Sequence, residues 1–400
     1  MKKEDFKKID KPTFLKLEDK KLNIYLKSNG FPKKYNAKKV KMMVEKNEIQ
    51  PIELAKYLEN ANNDLFDTPV IGAEVYKSVD GGNTWSKTHD KYIDDLYYSY
   101  GYYFGKVHVS PNDIDKIYIY GVPILTSNDG GKTFKSIGKE NVHADHHALW
   151  INPKLKGHLI DGNDGGVNIT YDDGESWIKN NQPEVGQFYT VNVDNSKPYN
   201  VYGGLQDNGV WKGPSNHKES RSWHQSGSYP FKSIMGGDGM QVEVDTRTND
   251  IVYTGSQFGF YSRINTSTGD RLSIRPRHEL GERPLRFNWQ TPVHLSRHQQ
   301  DVIYIGANRL YRSLNQGAGM EAISGDLTHG GQLGDVPYGT LTTIDESSFR
   351  FGLLYTGSDD GRVHVSQDGG ATWSDISAGL PADRWISRVE SSAHLESRVY

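Results

Sequence analysis

The sequence predicts an all-β fold of repeated four-stranded units, preceded by a small helical segment. Two observations carry this prediction: an octapeptide with turn chemistry occurs four times, and an apolar-Tyr-x-Gly motif recurs at a spacing of one four-stranded unit. The composition agrees, because 42 Gly, 24 Tyr, 13 Phe and 8 Trp residues suit many short strands joined by tight turns.

The octapeptide has the pattern Ser/Thr-x-Asp-x-Gly-x-Thr/Ser-aromatic. It spans residues 78–85, 127–134, 170–177 and 366–373, and a degenerate copy without the aromatic spans 313–317. Each copy ends one β-branched or aromatic run and begins another, which is typical of a hairpin. We expect the Asp to cap its own turn, the Gly to adopt a positive φ, and the aromatic side chain to pin the turn to the sheet.

The second motif ends a strand with a glycine in six places. These glycines are 41, 41, 52, 51 and 51 residues apart, and they are Gly121, Gly162, Gly203, Gly255, Gly306 and Gly357. Each lies between two alternating runs, so one unit consists of strands A, B and C, the octapeptide turn and strand D. Six complete units follow residue 104. The half-units near residues 75–85 and 386–400 either join into a seventh or indicate a piece of a longer chain, and the shortness of 398–400 favours the second alternative.

The first 66 residues differ from the rest and predict short helices. Leu22, Tyr25 and Leu26 share one helical face, and Asn36 caps a second helix. A third begins at Pro51 and buries Leu54. We therefore divide the chain into a helical segment, 1–66, and a β-domain, 67–400.

Charge and composition exclude several classes of function. Residues 1–60 carry 16 Lys and 9 acidic side chains, whereas the whole chain has a net charge of −3, so the β-domain is acidic and unsuited to nucleic acid. The basic helices resemble DNA-binding helix-loop-helix modules only faintly, and a solvated face is the simpler interpretation. There is no Cys, no run of membrane-spanning length, and no apolar segment after the N-terminal lysines that would indicate a signal peptide.

The octapeptide is the Asp-box, or BNR repeat, and the chain resembles the Asp-box β-propellers. These include sialidases, xyloglucanase-type glycoside hydrolases and sortilin/Vps10 receptors. The stretch 143–211, with HADHHALWINP, GNDGG and VYGGLQDNG, is most similar to bacterial sortilin-like proteins that are often labelled glycosyl hydrolases. The resemblance covers residues 67–400 and implies a β-propeller, for which the strand count predicts about seven blades or a part of a larger multi-propeller protein. It also implies an extracellular or periplasmic location and a carbohydrate or peptide ligand.

Strand direction predicts where the functional residues lie. The B–C loops and the loops that enter each A strand share one face of a propeller, whereas the octapeptide turns lie at the opposite rim and are structural. We expect the first face to gather acids, imidazoles, amides and aromatics at the mouth of the central channel, which is the usual signature of a site.

Four aspartates are the candidates for glycoside hydrolysis, which needs two carboxyl groups on either side of the bond. They are Asp145, Asp164, Asp207 and Asp238, and no motif selects a pair among them. The alternative is that each Asp simply satisfies backbone amides in a Gly-rich turn. A sialidase needs three arginines around a carboxylate. The polar loops offer only Arg309 and the neighbouring Arg286, so this activity is not expected.

The remaining candidates are ligand-binding residues on the same face. They are His143, His146, His147, Asn163, Gln206, Asn208, Asn288, Trp289, Gln290, Tyr338, Asp359 and Asp360. His143 and Asp145 supply metal-ligand chemistry, but the dense pattern lacks the first His of the zinc-hydrolase motif, and no cofactor is predicted. The predicted function is recognition of an extracellular carbohydrate or peptide, with glycoside hydrolysis as the enzymatic possibility and a non-catalytic peptide- or protein-binding scaffold as the alternative.

Overall fold

The computed structural model describes residues 1–61, 70–180, 186–218, 220, 229–332 and 336–400. In these residues, five short helices are followed by a two-stranded sheet and six four-stranded antiparallel sheets. The predicted boundary between residues 66 and 67 lies outside the described residues, so the domain division stays a prediction.

The helical segment has its own core. Its helices are α1 (Asp5–Lys8), α2 (Lys11–Leu15), α3 (Asp19–Ser28), α4 (Ala37–Glu45) and α5 (Glu53–Lys56). The face of α3 predicted from the sequence is buried, and the side chain of Asn36 accepts a hydrogen bond from the Lys39 N–H at 3.0 Å to cap α4. The sequence missed α1 and α2, which have four and five residues and are too short to show helical periodicity.

The six four-stranded sheets form successive blades of a β-propeller. Blade one contains β3 (Lys106–Ser110), β4 (Asp113–Tyr120), β5 (Ile124–Ser127) and β6 (Lys135–Ser136). Blade two contains β7 (His146–Ile151), β8 (Leu159–Asn163), β9 (Gly166–Thr170) and β10 (Ile178–Asn180). Blade three contains β11 (Phe188–Val193), β12 (Asn200–Leu205), β13 (Gly209–Pro214) and β14 (Lys232–Met235).

The other three blades repeat this order. Blade four contains β15 (Val242–Val244), β16 (Ile251–Ser256), β17 (Phe260–Asn265) and β18 (Arg271–Ser273). Blade five contains β19 (Val293–Leu295), β20 (Ile303–Gly306), β21 (Leu310–Ser313) and β22 (Glu321–Ala322). Blade six contains β23 (Leu341–Glu346), β24 (Leu354–Ser358), β25 (Val363–Ser366) and β26 (Ser374–Asp375). In each blade the chain order is the sheet order, as the A-B-C-D pattern predicts.

The first strands of blades three to six lie side by side around a central channel. Polar side chains on one strand bind the backbone of the next: the Asn192 amide donates to the Val242 carbonyl at 2.8 Å, and the Val293 N–H donates to Gln241 Oε1 at 3.0 Å. The channel has a volume of about 550 Å³ between these strands. Apolar clusters between adjacent blades form the core of the β-domain.

The octapeptides form the turns between the third and fourth strands, as predicted. In the second copy, Asp129 accepts hydrogen bonds from the Thr133 N–H at 3.0 Å and the Thr133 hydroxyl at 2.6 Å, and Gly131 has a φ of +91°. In the third copy, the equivalent bonds from Ser176 lower the pKa of Asp172 to about 2. The turn residue Asp173 pairs with Lys116, which lies at the rim opposite the B–C loops. These aspartates therefore act within the fold.

Two half-units flank the six blades. Strands β1 (Tyr76–Lys77) and β2 (Ser86–Lys87) form a sheet of two strands. At the other end, the Ile386 N–H donates to the Ser358 carbonyl at 3.0 Å, and Ser391 pairs with Val399. The C-terminal segment therefore lies beside blade six as the predicted A and B strands would. Among the described residues, the two half-units are not joined in one sheet.

The helical segment contacts the connection between blades four and five. Leu280 is buried within the core of the helices, and its N–H donates to the Tyr35 hydroxyl at 2.9 Å. Glu279 accepts hydrogen bonds from Tyr35 and from Lys34 Nζ, the latter at 2.5 Å. This contact could not be predicted from the sequence, because it joins residues about 245 positions apart.

Candidate functional site

The four candidate aspartates lie close together in the loops of blades two, three and four. Asp145 precedes β7, Asp164 joins β8 to β9, Asp207 joins β12 to β13, and Asp238 precedes β15. The Asp164 N–H donates to the Asp145 carbonyl at 3.2 Å, the Asp207 N–H donates to Asp238 Oδ1 at 3.1 Å, and the side chains of Asp164 and Asp207 share a hydrogen bond. We call this group the carboxylate pole. Its formation follows from antiparallel strands whose B–C and A-entry loops lie on one face.

Burial and the charges of neighbouring carboxylates raise the pKa values of three aspartates of the pole. Burial, assisted by the charges of Asp238 and Asp164, raises the pKa of Asp207 to about 7. Burial is also the main cause that raises the pKa values of Asp145 and Asp238, and the charge of Asp164 adds to both. The pole therefore holds negative charge that surrounding positive charge does not fully compensate, and it retains a proton near neutral pH.

Backbone strain accompanies this arrangement. Asp145 and Asp207 have φ values of +64° and +59°, in the left-handed region that few residues other than glycine adopt. Asp and Asn tolerate this conformation best. Strained backbone at two members of one cluster is typical of a functional site.

Two of the three candidate histidines contact the pole. His147 Nε2 lies 2.8 Å from Asp164 Oδ1, and its ring packs against Tyr103 and Phe104. His143 Nε2 donates to the Asp207 carbonyl at 3.1 Å. His146 differs from the expectation: it points into blade two, where it is buried, because adjacent residues on a strand face opposite sides.

An aromatic wall borders the pole on the side of blade four. The Tyr189 hydroxyl donates to Asp238 Oδ1 at 3.4 Å, and Trp289 Nε1 donates to the Tyr189 hydroxyl at 3.1 Å. Phe258 packs edge-on against Trp289 with ring centroids 5.2 Å apart. Trp289 was predicted to lie here. Tyr189 was missed, although its place near the start of the A strand FYTVNV was a usable signal.

Several other candidate residues are buried and form hydrogen bonds within the fold. Asn288 is buried and donates to the Thr340 hydroxyl at 3.0 Å, and Asp359 accepts from the same hydroxyl at 2.6 Å and from two backbone N–H groups. Asp360 is buried against Ser358 and the His329 N–H. These side chains differ from their predicted roles because they are enclosed and hydrogen-bonded, as the turn alternative predicts for Asp in Gly-rich loops.

The remaining candidates divide between the pole and the turns around it. Asn208 donates to the Asp164 carbonyl at 3.0 Å and to the Gln206 carbonyl at 2.9 Å, so it holds the pole together. Asn163 stabilises its own turn by accepting from the Gly165 N–H at 3.0 Å. Gln290 and Tyr338 are half-buried on the same face. Burial and the charges of Asp360, Asp359 and Asp383 raise the pKa of Tyr338, and none of these aspartates belongs to the pole.

Within the residues that the structure describes, no group of three or more His, Asp or Glu side chains is arranged to hold a metal ion. In the same residues, no helix is long and apolar enough to cross a membrane.

Comparison with known proteins finds similar solved structures but no matching family. No protein-family model matches the chain, and no curated protein matches it significantly. Among solved structures, it is similar to the GH74 xyloglucanase from Xanthomonas campestris, with 14% identity over 66% of this chain and 45% of that one, and a TM-score of 0.33. An extracellular domain from B. thetaiotaomicron gives 14% identity over 72% and 36% of the chains, with a TM-score of 0.36. YCF48 from Cyanidioschyzon merolae has 13% identity over 71% of this chain and 88% of that one, with a TM-score of 0.35.

The chain thus spans less than half the length of the first two structures. The six blades of the described residues define the class of protein: a multi-blade β-propeller preceded by a helical segment. At these identities the likeness concerns the fold alone.

Proposed function

We propose that the protein recognises an extracellular polymer at the carboxylate pole, and that this ligand is a peptide that presents a basic side chain. The observation that supports this most directly is the close grouping of four partly buried carboxyl groups, in which burial and neighbouring charge raise the pKa values of Asp145, Asp207 and Asp238. A bound ammonium or guanidinium group would relieve their mutual repulsion and donate hydrogen bonds to them in charge-assisted pairs. The extracellular location rests on the Asp-box and sortilin resemblance.

The aromatic wall adds a second contact for such a ligand. Tyr189 and Trp289 lie next to Asp238, and an aromatic face binds the stem or the charge of Lys or Arg. The loops of blades two and three supply backbone groups around the pole. A peptide therefore meets a charged centre with an apolar border, which suits specific recognition.

Peptide pairs that differ by one charge test this proposal. Binding of a Lys-containing peptide, measured calorimetrically, is expected to exceed that of its norleucine twin by tenfold or more, on the order of a charge-assisted hydrogen bond. It is expected to weaken between pH 8 and pH 5, because Asp207 must release its proton for the cation to bind. The Asp164→Asn and Asp238→Asn variants are expected to weaken binding, and Asp172→Asn, in an octapeptide turn, is the matched control. Equal binding of the two peptides would contradict the proposal.

Glycoside hydrolysis is the second candidate, and the pKa of Asp207 favours it. A carboxyl group that keeps its proton to about pH 7 is a suitable general acid, and a neighbouring ionised carboxylate can serve as base or nucleophile. A panel of polysaccharides is incubated with the protein, and new reducing ends are counted. Release that is lost in Asp207→Asn and Asp145→Asn and falls above pH 7 would support an enzyme. Carbohydrate binding without release would leave a non-catalytic scaffold.

A further inference from the structure

A second cavity lies between the helical segment and blades four and five. It has a volume of about 490 Å³, a size typical of small-molecule sites. Its apolar wall combines residues that follow α5 with residues of the propeller, and it includes Tyr57, Leu58, Phe258, Phe260, Leu285 and Phe287. The carboxylate pole contributes no residue to this wall.

The cavity wall is cationic. Three of its described residues are arginines, and Glu59 is the acidic one. Two of the arginines already have partners: Arg277 donates to the Gly30 carbonyl, and Arg286 donates to Asp326 at 2.8 Å. These two arginines stabilise the loops around the cavity.

Arg275 is different. Its guanidinium carbon lies 4.4 Å from the Phe260 ring centroid and 4.7 Å from that of Phe287. Within the described part of the chain, its hydrogen bond is from Nε to the Phe258 carbonyl at 3.3 Å, and no carboxylate is among the groups that influence it. Burial and the like charge of Arg277 lower its pKa to about 10, so it is still charged at neutral pH.

The Tyr57 hydroxyl, a second polar group in the wall, has the Arg277 guanidinium as a neighbouring donor but no acceptor for its own proton among the described residues. The Tyr57 hydroxyl is buried and, among the described residues, makes no hydrogen bond of normal geometry. Burial raises the pKa of Tyr57, so the hydroxyl keeps its proton and can donate. A buried hydroxyl whose proton has no acceptor is unfavourable, and a ligand that accepts its hydrogen bond would remove that cost.

We propose that this cavity binds a small aromatic carboxylic acid. Its carboxylate accepts from the guanidinium N–H groups of Arg275, whose fork matches a carboxylate in two-pronged geometry, and its ring packs among the Phe and Leu side chains. The cavity joins the helical segment to the propeller, so a bound acid contacts both. This inference does not depend on the function proposed for the carboxylate pole.

The test uses 3-phenylpropionate and its neutral analogue 3-phenylpropionamide on the full chain. The acid is expected to bind saturably at about millimolar concentration or below, and the amide roughly ten- to a hundredfold more weakly, because it lacks the charge-assisted bond. Arg275→Gln is expected to reduce the affinity for the acid to that for the amide. Arg283→Gln removes an exposed arginine that is not in the cavity wall, and it is expected to leave binding unchanged.

Arg275→Lys tests the geometry if the Gln variant does not fold. It keeps the positive charge but loses the fork, and a reduction in affinity with unchanged near-ultraviolet circular dichroism supports the proposal. Equal affinity of the wild-type protein for acid and amide, no saturable binding of the acid, or unchanged binding in a folded Arg275 variant would each overturn it. Asp207→Asn should not affect this binding, so the result is separable from that at the carboxylate pole.

Discussion

Replacement of Asp207 by Asn should stabilise the protein at pH 8 but not at pH 4. The pKa of Asp207 is about 7 in the folded protein and 3.8 ordinarily, so its ionisation constant differs by roughly a thousandfold. At about 1.4 kcal/mol per factor of ten, this difference sets an upper bound of about 4 kcal/mol. Because the side chain is only half-buried and solvent screens it, we expect about 1–2 kcal/mol.

The sign follows from proton linkage. The folded pKa is raised, so the contribution of Asp207 to stability is fully present below about pH 4 and is lost as the pH rises through about 7. Asn cannot ionise, it accepts a positive φ, and its amide can donate to Asp164, so the variant avoids that loss. Urea denaturation of both proteins between pH 4 and pH 8 measures the difference.

A turn aspartate provides the opposite control. The hydrogen bonds of its turn lower the pKa of Asp172 to about 2, so its stabilisation is present above the ordinary pKa and lost as the pH falls toward 2. Asp172→Asn should therefore destabilise the protein at pH 8 and have less effect at pH 2. The reasoning would be refuted if the Asp207→Asn variant were no more stable than the wild type at pH 8. It would also be refuted if the substitution changed the free energy of unfolding equally at pH 4 and pH 8.

Three substitutions test the packing by urea denaturation. Leu280→Ala should cost about 2–5 kcal/mol and speed proteolysis of the helical segment, because it removes a buried side chain that joins that segment to the propeller. Trp177→Phe should cost about 1 kcal/mol by removing the 2.8 Å hydrogen bond to the Ile137 carbonyl. Gly204→Ala should cost about 3 kcal/mol, since its Cβ would lie 2.1 Å from the Met240 carbonyl oxygen. A change of less than about 0.5 kcal/mol in any of them would contradict the packing described.

The sequence predicted the blades and the carboxylate pole because both follow from local patterns. The octapeptide fixes its turn through Asp and Gly, and alternation fixes strand direction, which brings Asp164 and Asp207 to one face. Local patterns do not determine whether a polar side chain faces the site or forms hydrogen bonds inside the fold. Asp359 and Asp164 have the same chemistry and both follow a B strand, yet only Asp164 lies at the pole.

Contacts between distant segments were also beyond prediction. The insertion of Leu280 into the helical core and the cavity around Arg275 arise from packing between residues far apart in the sequence. The two aromatic rings that flank Arg275 belong to Phe260 and Phe287. They come from other parts of the chain, so the spacing of residues in the sequence does not predict their contact with Arg275.

The bond from Trp177 to the preceding blade has an evolutionary consequence. Trp373 makes the same bond, at 2.9 Å, to the carbonyl of Ile323, which like Ile137 follows the outermost strand of the blade before it. The hydrogen bond that joins two neighbouring blades is thus made by a residue of the repeated octapeptide. Duplication of a gene segment that encodes one blade would therefore also duplicate the tryptophan that bonds it to the preceding blade. A propeller could gain a blade in this way without a new kind of interface.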